Sequence, residues 1–503
     1  MNSLSQTTGY WLIILFGIAM ILLTYFASRS ERWKSGTGFL VAWREVPWWL
    51  ASPSIAASWI WAPALFVSVQ KSYELGLPGI FWFTAPNILA LVVYAFLGPK
   101  IRSIIPGGYT LPDWIRFRLG NKVHKVYMIP YIWYQAMAVT VQIFVGGLML
   151  NYLTGIPLNP LMILLLVICL IYSLISGLRA SVVTDFVQMA FMILGALTIP
   201  IWVANRVGWD QVQNGFGGLA GNSNMLDPHV AFSFGIVTSI GLIAGSISDQ
   251  QYWQRAFAIK RTHLVRSYVV GGILFGIVPI LLSILGFVAA SPASGIAMPH
   301  GAGLPMIGIE VVVRFLPLWA AVFFVIMLLC GLMSTLDSGM CAASSLYAID
   351  IAPMTPEQRD VLLKEKTGGT LTEHEQRIKD KIDQQTIRSA RFGMYGISVI
   401  GLLLAFVVQY LFSLDRLWWI FNGVATCFVV PTVMSLYYKR LSAKGVLYGI
   451  YGAIIGMIAF IYGNWIQNDI ITVFSALFII SISFVCCISL KSPTPWKPKE
   501  IAG

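Results

Sequence analysis

Ala51-Ser52-Pro53-Ser54-Ile55-Ala56-Ala57-Ser58-Trp59-Ile60-Trp61-Ala62-Pro63 lies inside an apolar run, Trp48 to Val69, long enough to cross a bilayer. A helix in hydrocarbon normally satisfies its own backbone. Two prolines bracketing small and hydroxylated residues therefore predict a helix that unwinds at mid-depth and lines a cavity. A second stretch of the same character, Thr238-Ser239-Ile240-Gly241-Leu242-Ile243-Ala244-Gly245-Ser246-Ile247-Ser248-Asp249-Gln250, falls five helices later. Interrupted helices at corresponding positions of two halves predict an inverted repeat with a binding site at the bilayer midplane. For either stretch taken singly, close helix packing through small residues is the alternative. Phe421-Asn422-Gly423 with Pro431 is a third, weaker interruption, read as a kink.

The surrounding chain has the composition of a membrane-embedded protein: of 503 residues, 57% are hydrophobic and 11% charged. Thirteen apolar segments predict transmembrane helices in an all-α fold. Tyr10 to Ala27 leads. Trp48 to Val69, Ile80 to Leu97, Val126 to Leu153, Leu161 to Ser176 and Ser181 to Ala204 form a first five. Val230 to Trp253, Ser267 to Ala290, Leu318 to Ile349, Phe392 to Leu411 and Leu417 to Tyr437 form a second, and Val446 to Gly463 and Ile471 to Leu490 trail. The expected organisation is a leading helix (10–27), a first repeat (48–204), a second repeat (230–437) interrupted by a hydrophilic loop (352–391), two trailing helices (446–490) and a tail (491–503). The first run has no basic region before it and no small-residue cleavage site after it, so it reads as a retained helix.

The net charge of +12 raises nucleic acid as a partner, but the basic residues are not clustered for it. Of 33 lysines and arginines, 29 fall in alternate loops, and only Lys71, Arg206, Arg314 and Arg416 fall on the other side. Positive residues are retained in the cytoplasm, so this alternation places the N-terminus outside, the C-terminus inside and the loop 352–391 in the cytoplasm of an inner-membrane protein. That loop reads as a solvated connector with a surface helix. The partners expected are a lipid bilayer, a small solute and ions. The six cysteines sit in apolar runs without metal or redox spacing and are expected to pack.

Met333-Ser334-Thr335-Leu336-Asp337-Ser338-Gly339-Met340-Cys341-Ala342-Ala343-Ser344-Ser345 is a polar run in an otherwise apolar helix, and a carboxylate there is costly and so points to function. The hydroxyls of Ser334 and Thr335, with carbonyls freed where the first helix unwinds, are hard oxygen donors suited to sodium. The competing reading is that these hydroxyls bond back to their own helix. Asp185, in Thr184-Asp185-Phe186-Val187-Gln188, is a second acidic residue at helix depth. With Asp337 and Ser338 it would make an anionic site for a second cation or a proton; otherwise it caps its helix and pairs with Arg179.

Several separated motifs resemble the sodium:solute symporter family. Ser248-Asp249-Gln250-Gln251-Tyr252-Trp253-Gln254-Arg255 is similar to its sixth-helix signature, Gly177 through Gln188 to its fifth-helix motif, and Met333 through Asp350 to its eighth. The resemblance implies a LeuT-type fold, two five-helix inverted repeats with one leading and two trailing helices, working by alternating access. It implies a main sodium site at the Ser334 and Thr335 hydroxyls and the carbonyls near Ala56 and Trp59. A second site, for sodium or a proton, falls on Asp185, Ser334, Asp337 and Ser338. One or two sodium ions are thus expected. Asp337 departs from the family pattern, which has a hydroxyl there, and this leaves the stoichiometry open.

Ala57 through Ala62, followed by Pro78-Gly79-Ile80-Phe81-Trp82-Phe83, looks most like the urea-transporting branch. Trp59, Trp61 and Trp82 offer stacking faces to a small neutral solute. Ser58, Gln135, Gln142, Gly245 and Ser246 offer hydrogen-bonding partners. Interfacial tryptophans and interhelical glutamines are the plainer reading of the same residues. Other small solutes (a sugar, an amino acid, a carboxylate or a nucleobase) remain alternatives. No lysine or arginine is expected deep in a core helix, which disfavours a carboxylate. No catalytic constellation is visible, and the five histidines fall in loops, so an enzyme is not expected. A passive channel is the remaining alternative, since broken helices also line pores.

Overall fold

The computed structural model describes residues 4–28, 35–296, 301–367, 369–411 and 414–496. The chain runs through α1 (Gln6–Ala27), α2 (Gly36–Val41), α3 (Trp48–Trp59), α4 (Ala62–Leu65), α5 (Val67–Val92), α6 (Tyr94–Ile104), α7 (Leu111–Leu119), α8 (Asn121–Thr154), α9 (Leu158–Ser176), α10 (Leu178–Val207) and α11 (Trp209–Asn214). It continues through α12 (Pro228–Val230), α13 (Ile236–Ile247), α14 (Gln250–Ala258), α15 (Leu264–Ala290), α16 (Ile307–Phe315), α17 (Leu318–Leu346), α18 (Pro356–Lys366), α19 (Glu373–Leu411), α20 (Leu414–Tyr437), α21 (Ala443–Trp465) and α22 (Asp469–Ser489).

Among the described residues, eleven helices are long and apolar enough to cross a membrane. The broken pair α3/α4 and the helix α20, whose described apolar part is Gly423–Tyr437, bring the crossing segments to the thirteen expected. The second core helix begins in sequence near Ile80, whereas α5 starts at Val67. The two agree once the kink at Gly76 is seen: its φ of 69° is in the left-handed region, and Leu77 N–H donates to the Phe216 carbonyl at 2.8 Å. A Cβ at Gly76 would run into that carbonyl, so glycine is required there. Before the kink, Lys71 pairs with Glu74 at 2.6 Å and holds a polar turn in helical form.

Three groups of helices surround the centre. α3 packs on α10, α15 and α17, and α15 lies along α5. α8 lies against α9, α17 and α19, while α21 and α22 pair with each other and with α20. Leading into α3, Val46 N–H donates to the Ala258 carbonyl at 3.1 Å and its carbonyl accepts from Lys260 at 3.0 Å. This short parallel bridge ties the start of the first core helix to the end of α14.

The loop 352–391 differs from a solvated connector. Its second half is the start of α19, and α18 is docked: Lys366 is buried, its ammonium 2.5 Å from Asp113 on α7, and its carbonyl accepts from Gly107 N–H at 2.8 Å. Lys379 is also buried, 2.6 Å from Asp383 and 3.4 Å from the Thr37 hydroxyl. His124, expected in a loop, stands in the first turn of α8 and bonds Asp350 at 2.8 Å. The described part of the tail beyond α22 is docked too, with Arg118 4.7 Å over the ring of Trp496.

Candidate functional site

The first core helix unwinds after Trp59. Ile60 (φ −80°, ψ 70°) leaves the helical region, Trp61 (φ −72°, ψ 171°) is extended, and helix resumes at Ala62. Pro63 supplies the cause, because its ring cannot follow a continuous turn from Trp59. Carbonyls at the end of α3 thereby come within reach of α17. Ser334 Oγ donates to the Ala57 carbonyl at 3.0 Å. Thr335 Oγ1 lies 3.4 Å from the carbonyls of Ala57 and Ser58 and 3.2 Å from that of Ile60. Oxygen ligands sit about 2.4 Å from a hard cation of this size, so neighbouring ligands at a little over 3 Å have the spacing of a coordination shell. The carbonyls that these two hydroxyls meet are those of Ala57, Ser58 and Ile60, interleaved with the expected Ala56 and Trp59. The Ala56 and Ala57 carbonyls both also accept from Ile60 N–H, at 3.1 and 3.2 Å. Ser334 also bonds back to Gly331 at 3.0 Å, so the back-bonding reading holds for one of its contacts.

One turn further along α17 stands a buried charged cluster. Asp185 Oδ2 on α10 accepts from Ser54 Oγ at 2.7 Å and from Arg255 Nη2 at 2.9 Å. The same nitrogen reaches Ser338 Oγ at 2.7 Å, and Arg255 Nε reaches Ser54 Oγ at 3.0 Å. Ser58 Oγ turns into this cluster, to the Ser54 carbonyl at 2.6 Å and Ser338 Oγ at 3.1 Å. Asp337 accepts from Ser173 Oγ on α9. Asp185 Oδ1, Asp337 Oδ2 and Ser181 Oγ are buried without a hydrogen-bonding partner. Arg255 is thus the ion-pair partner of Asp185, while Asp337, equally buried, has no ion pair among the described residues.

Arg255 overturns two expectations. Asp185 pairs with it rather than with Arg179, and an arginine does lie deep in the core, 2% exposed on α14. Its position after the break in the sixth core helix turns it inward, where its Nη1 also meets the Gln251 carbonyl one turn back. That break is at Ser248 and Asp249, the second in extended backbone, whereas Gly241 and Gly245 are helical within α13.

Around the two breaks the expected solute residues are only partly assembled. Gln135 Nε2 donates to Asp249 at 2.9 Å, and Gln142 Oε1 accepts from Ala62 N–H at 3.2 Å. Trp61 donates to the Ser58 carbonyl at 3.0 Å, its ring edge-on to Tyr134. Gly245 contributes a carbonyl to the last turn of α13, and Ser246 is engaged elsewhere, donating to the Ala90 carbonyl at 2.9 Å. Trp82 lies apart, edge-on to Phe81 beside Gly235. The sequence reading passed over Asp249, Gln251 and Tyr252. Tyr252 meets Trp59 edge-on at 5.2 Å, joining the two broken helices. Trp59 Nε1, Gln135 Oε1, Gln142 Nε2, Asp249 Oδ2, both amide atoms of Gln251 and the Tyr252 hydroxyl are all buried without a partner. Buried polar atoms are rarely left so. Concentrated at two helix breaks, they form a set of donors and acceptors suited to a small polar guest.

Comparison with known proteins gives the family and the fold. The sequence model of the sodium:solute symporter family matches residues 39–361. The chain is 24% identical over 307 residues to the probable urea active transporter 1 of Schizosaccharomyces pombe (57% of this chain, 46% of that one). It is 24% identical over 341 residues to the urea-proton symporter DUR3 of Oryza sativa subsp. japonica (59% and 47%). The chain therefore spans about half the length of these relatives. A Na+-coupled sialic acid symporter solved in a substrate-bound outward-open state superposes with a TM-score of 0.72 at 16% identity, covering 97% of this chain and 99% of that one. That likeness shows the fold, the LeuT-type arrangement of two inverted five-helix repeats.

Proposed function

The chain belongs to the sodium:solute symporter family, a multi-pass membrane protein, and on that premise we propose that it imports a small neutral polar solute, urea foremost, together with sodium by alternating access. One observation carries the coupling: the Ser334 and Thr335 hydroxyls face the carbonyls of Ala57, Ser58 and Ile60 at the break in the first core helix. A sodium ion there would fasten α3 to α17 and set the break beside it, so ion binding and solute binding strengthen each other. The repeats would then be 48–204 and 230–437, with the N-terminus outside and the C-terminus in the cytoplasm of the inner membrane. Each positive charge entering a cytoplasm that is negative gains about 2.3 kcal/mol per 100 mV, enough for one sodium to concentrate a neutral solute.

Urea is favoured by the amide-rich set at Gln135, Gln142 and Gln251, walled by Trp59, Trp61 and Tyr252, and by the urea transporters among the relatives. A carboxylate solute would have to approach the unpartnered oxygen of Asp249, and like charges repel there. A second coupling cation, sodium or a proton, is supported by Asp337, buried without an ion pair among the described residues beside Asp185, and proton coupling by the rice relative.

The test is uptake of radiolabelled urea into proteoliposomes under an inward sodium gradient, an inward proton gradient or neither, with unlabelled sugars, amino acids, carboxylates and nucleobases as competitors. Accumulation above the outside concentration with sodium supports the reading. Equilibration without any gradient would identify a channel, and accumulation driven by protons alone would remove sodium from the mechanism.

A further inference from the structure

We propose that the groove where α19 enters the bilayer is a binding site for an anionic phospholipid. The groove, of about 580 Å³, lies between the end of the eighth core helix and α19, and is lined by Tyr347, Ile387, Arg388, Arg391, Phe392 and Tyr395 among others. It stands apart from the ion and solute sites.

Three observations converge on a phospholipid. Arg388 and Arg391 are exposed, and neither has a hydrogen bond or ion pair among the described residues, although carboxylates are plentiful on the preceding turns of the same helix. Uncompensated guanidinium groups at the edge of an apolar segment are poised for phosphate, which they bind with paired N–H donors. Tyr347 and Phe392 meet at 5.2 Å beside them, and Phe392 and Tyr395 are more than half exposed, forming an aromatic collar of the kind that favours a membrane interface. Below the collar, Val399, Leu403, Val407 and Tyr410 continue the same exposed face of α19 at intervals of three and four residues, a track for an acyl chain. A free phosphate would use the arginines alone, whereas a phospholipid uses arginines, collar and track. By the distribution of basic residues this end of α19 faces the cytoplasm, the leaflet side where an anionic headgroup would meet it.

The full-length protein in neutral detergent is titrated separately with phosphatidylglycerol, phosphatidylcholine and inorganic phosphate, reading lipid retained by native mass spectrometry and the unfolding temperature. Phosphatidylglycerol is expected to be retained and to raise the unfolding temperature by about 2 °C or more. Retention should fall about fivefold for Arg388→Gln or Arg391→Gln and about thirtyfold for both. Arg377→Gln, on the same helix outside the groove, should retain it as the wild type does. Equal retention of phosphatidylcholine, equal stabilisation by inorganic phosphate, or wild-type retention in the double variant would each overturn the site.

Discussion

Arg255 on α14 and Asp185 on α10 face each other at 2.9 Å, almost wholly removed from solvent, and the guanidinium bridges on to Ser54 and Ser338. One side chain thus links the broken first and sixth core helices to α10 and α17. Removing a single partner leaves an uncompensated buried charge, which costs about 3–5 kcal/mol. Arg255→Gln and Asp185→Asn should each lower the unfolding temperature markedly, and the double variant should be less unstable than their sum. Arg255→Lys should not rescue, because an ammonium lacks the planar fork that reaches Asp185, Ser54 and Ser338 together. A thermal-unfolding double-mutant cycle in detergent measures this; strict additivity would mean the pair is not coupled.

At the main cation site, Thr335→Ala removes a hydroxyl that touches three carbonyls of the unwound helix. Losing one oxygen ligand of a bound cation is expected to raise the sodium concentration for half-maximal uptake by about tenfold, corresponding to about 1.4 kcal/mol. Solute affinity at saturating sodium should change far less. Sodium titrations of uptake check the split, and an unaltered sodium dependence would remove Thr335 from the site.

What was legible in the sequence follows physical range. Helix spans and the break before Pro63 are local properties, written in apolar length and in one missing N–H. The break at Ser248 and Asp249 was displaced because glycine is permissive rather than obligatory, and Gly241 and Gly245 are held helical by their surroundings. Arg255 was counted with the loop charges, since nothing in its neighbourhood shows that its partner lies 70 residues upstream. Lys366 and Lys379 read as solvated for the same reason: Asp113 and Thr37 reach them from the other end of the chain.

Asp337 tests the second coupling cation. Its carboxylate is buried without an ion pair among the described residues, a charge that sodium or a proton would balance, and Asp337→Ser removes it while keeping a hydroxyl in the pocket. The expected outcome is one fewer cation carried per solute, read as a changed reversal condition when sodium, proton and solute gradients are opposed. Where the lost ion is a proton, the pH dependence of uptake between about 5 and 8 should flatten as well. An unchanged ratio and pH profile would make this carboxylate a structural group held by Ser173.

The cytoplasmic clamp at Asp113 has a pH dependence whose sign is fixed by its surroundings. Burial by itself pushes the carboxyl up, but Lys366 and Arg116, each 2.5 Å away, override it and hold the pKa down at about 2. A carboxylate whose folded value lies below the unfolded one, about 3.9, stabilises the fold fully above the unfolded value and loses that contribution as pH falls through the folded one. The contribution is on the order of 2 kcal/mol at neutral pH. Hydrogen exchange of the α18 backbone in the wild type should therefore be insensitive to this group between about pH 5 and 8, after correction for intrinsic rates, and α18 should loosen below about pH 4. Asp113→Asn should show the loosened pattern already at pH 7. Adding Lys366→Met to that variant should restore protection in part, because it removes the buried ammonium left without its carboxylate.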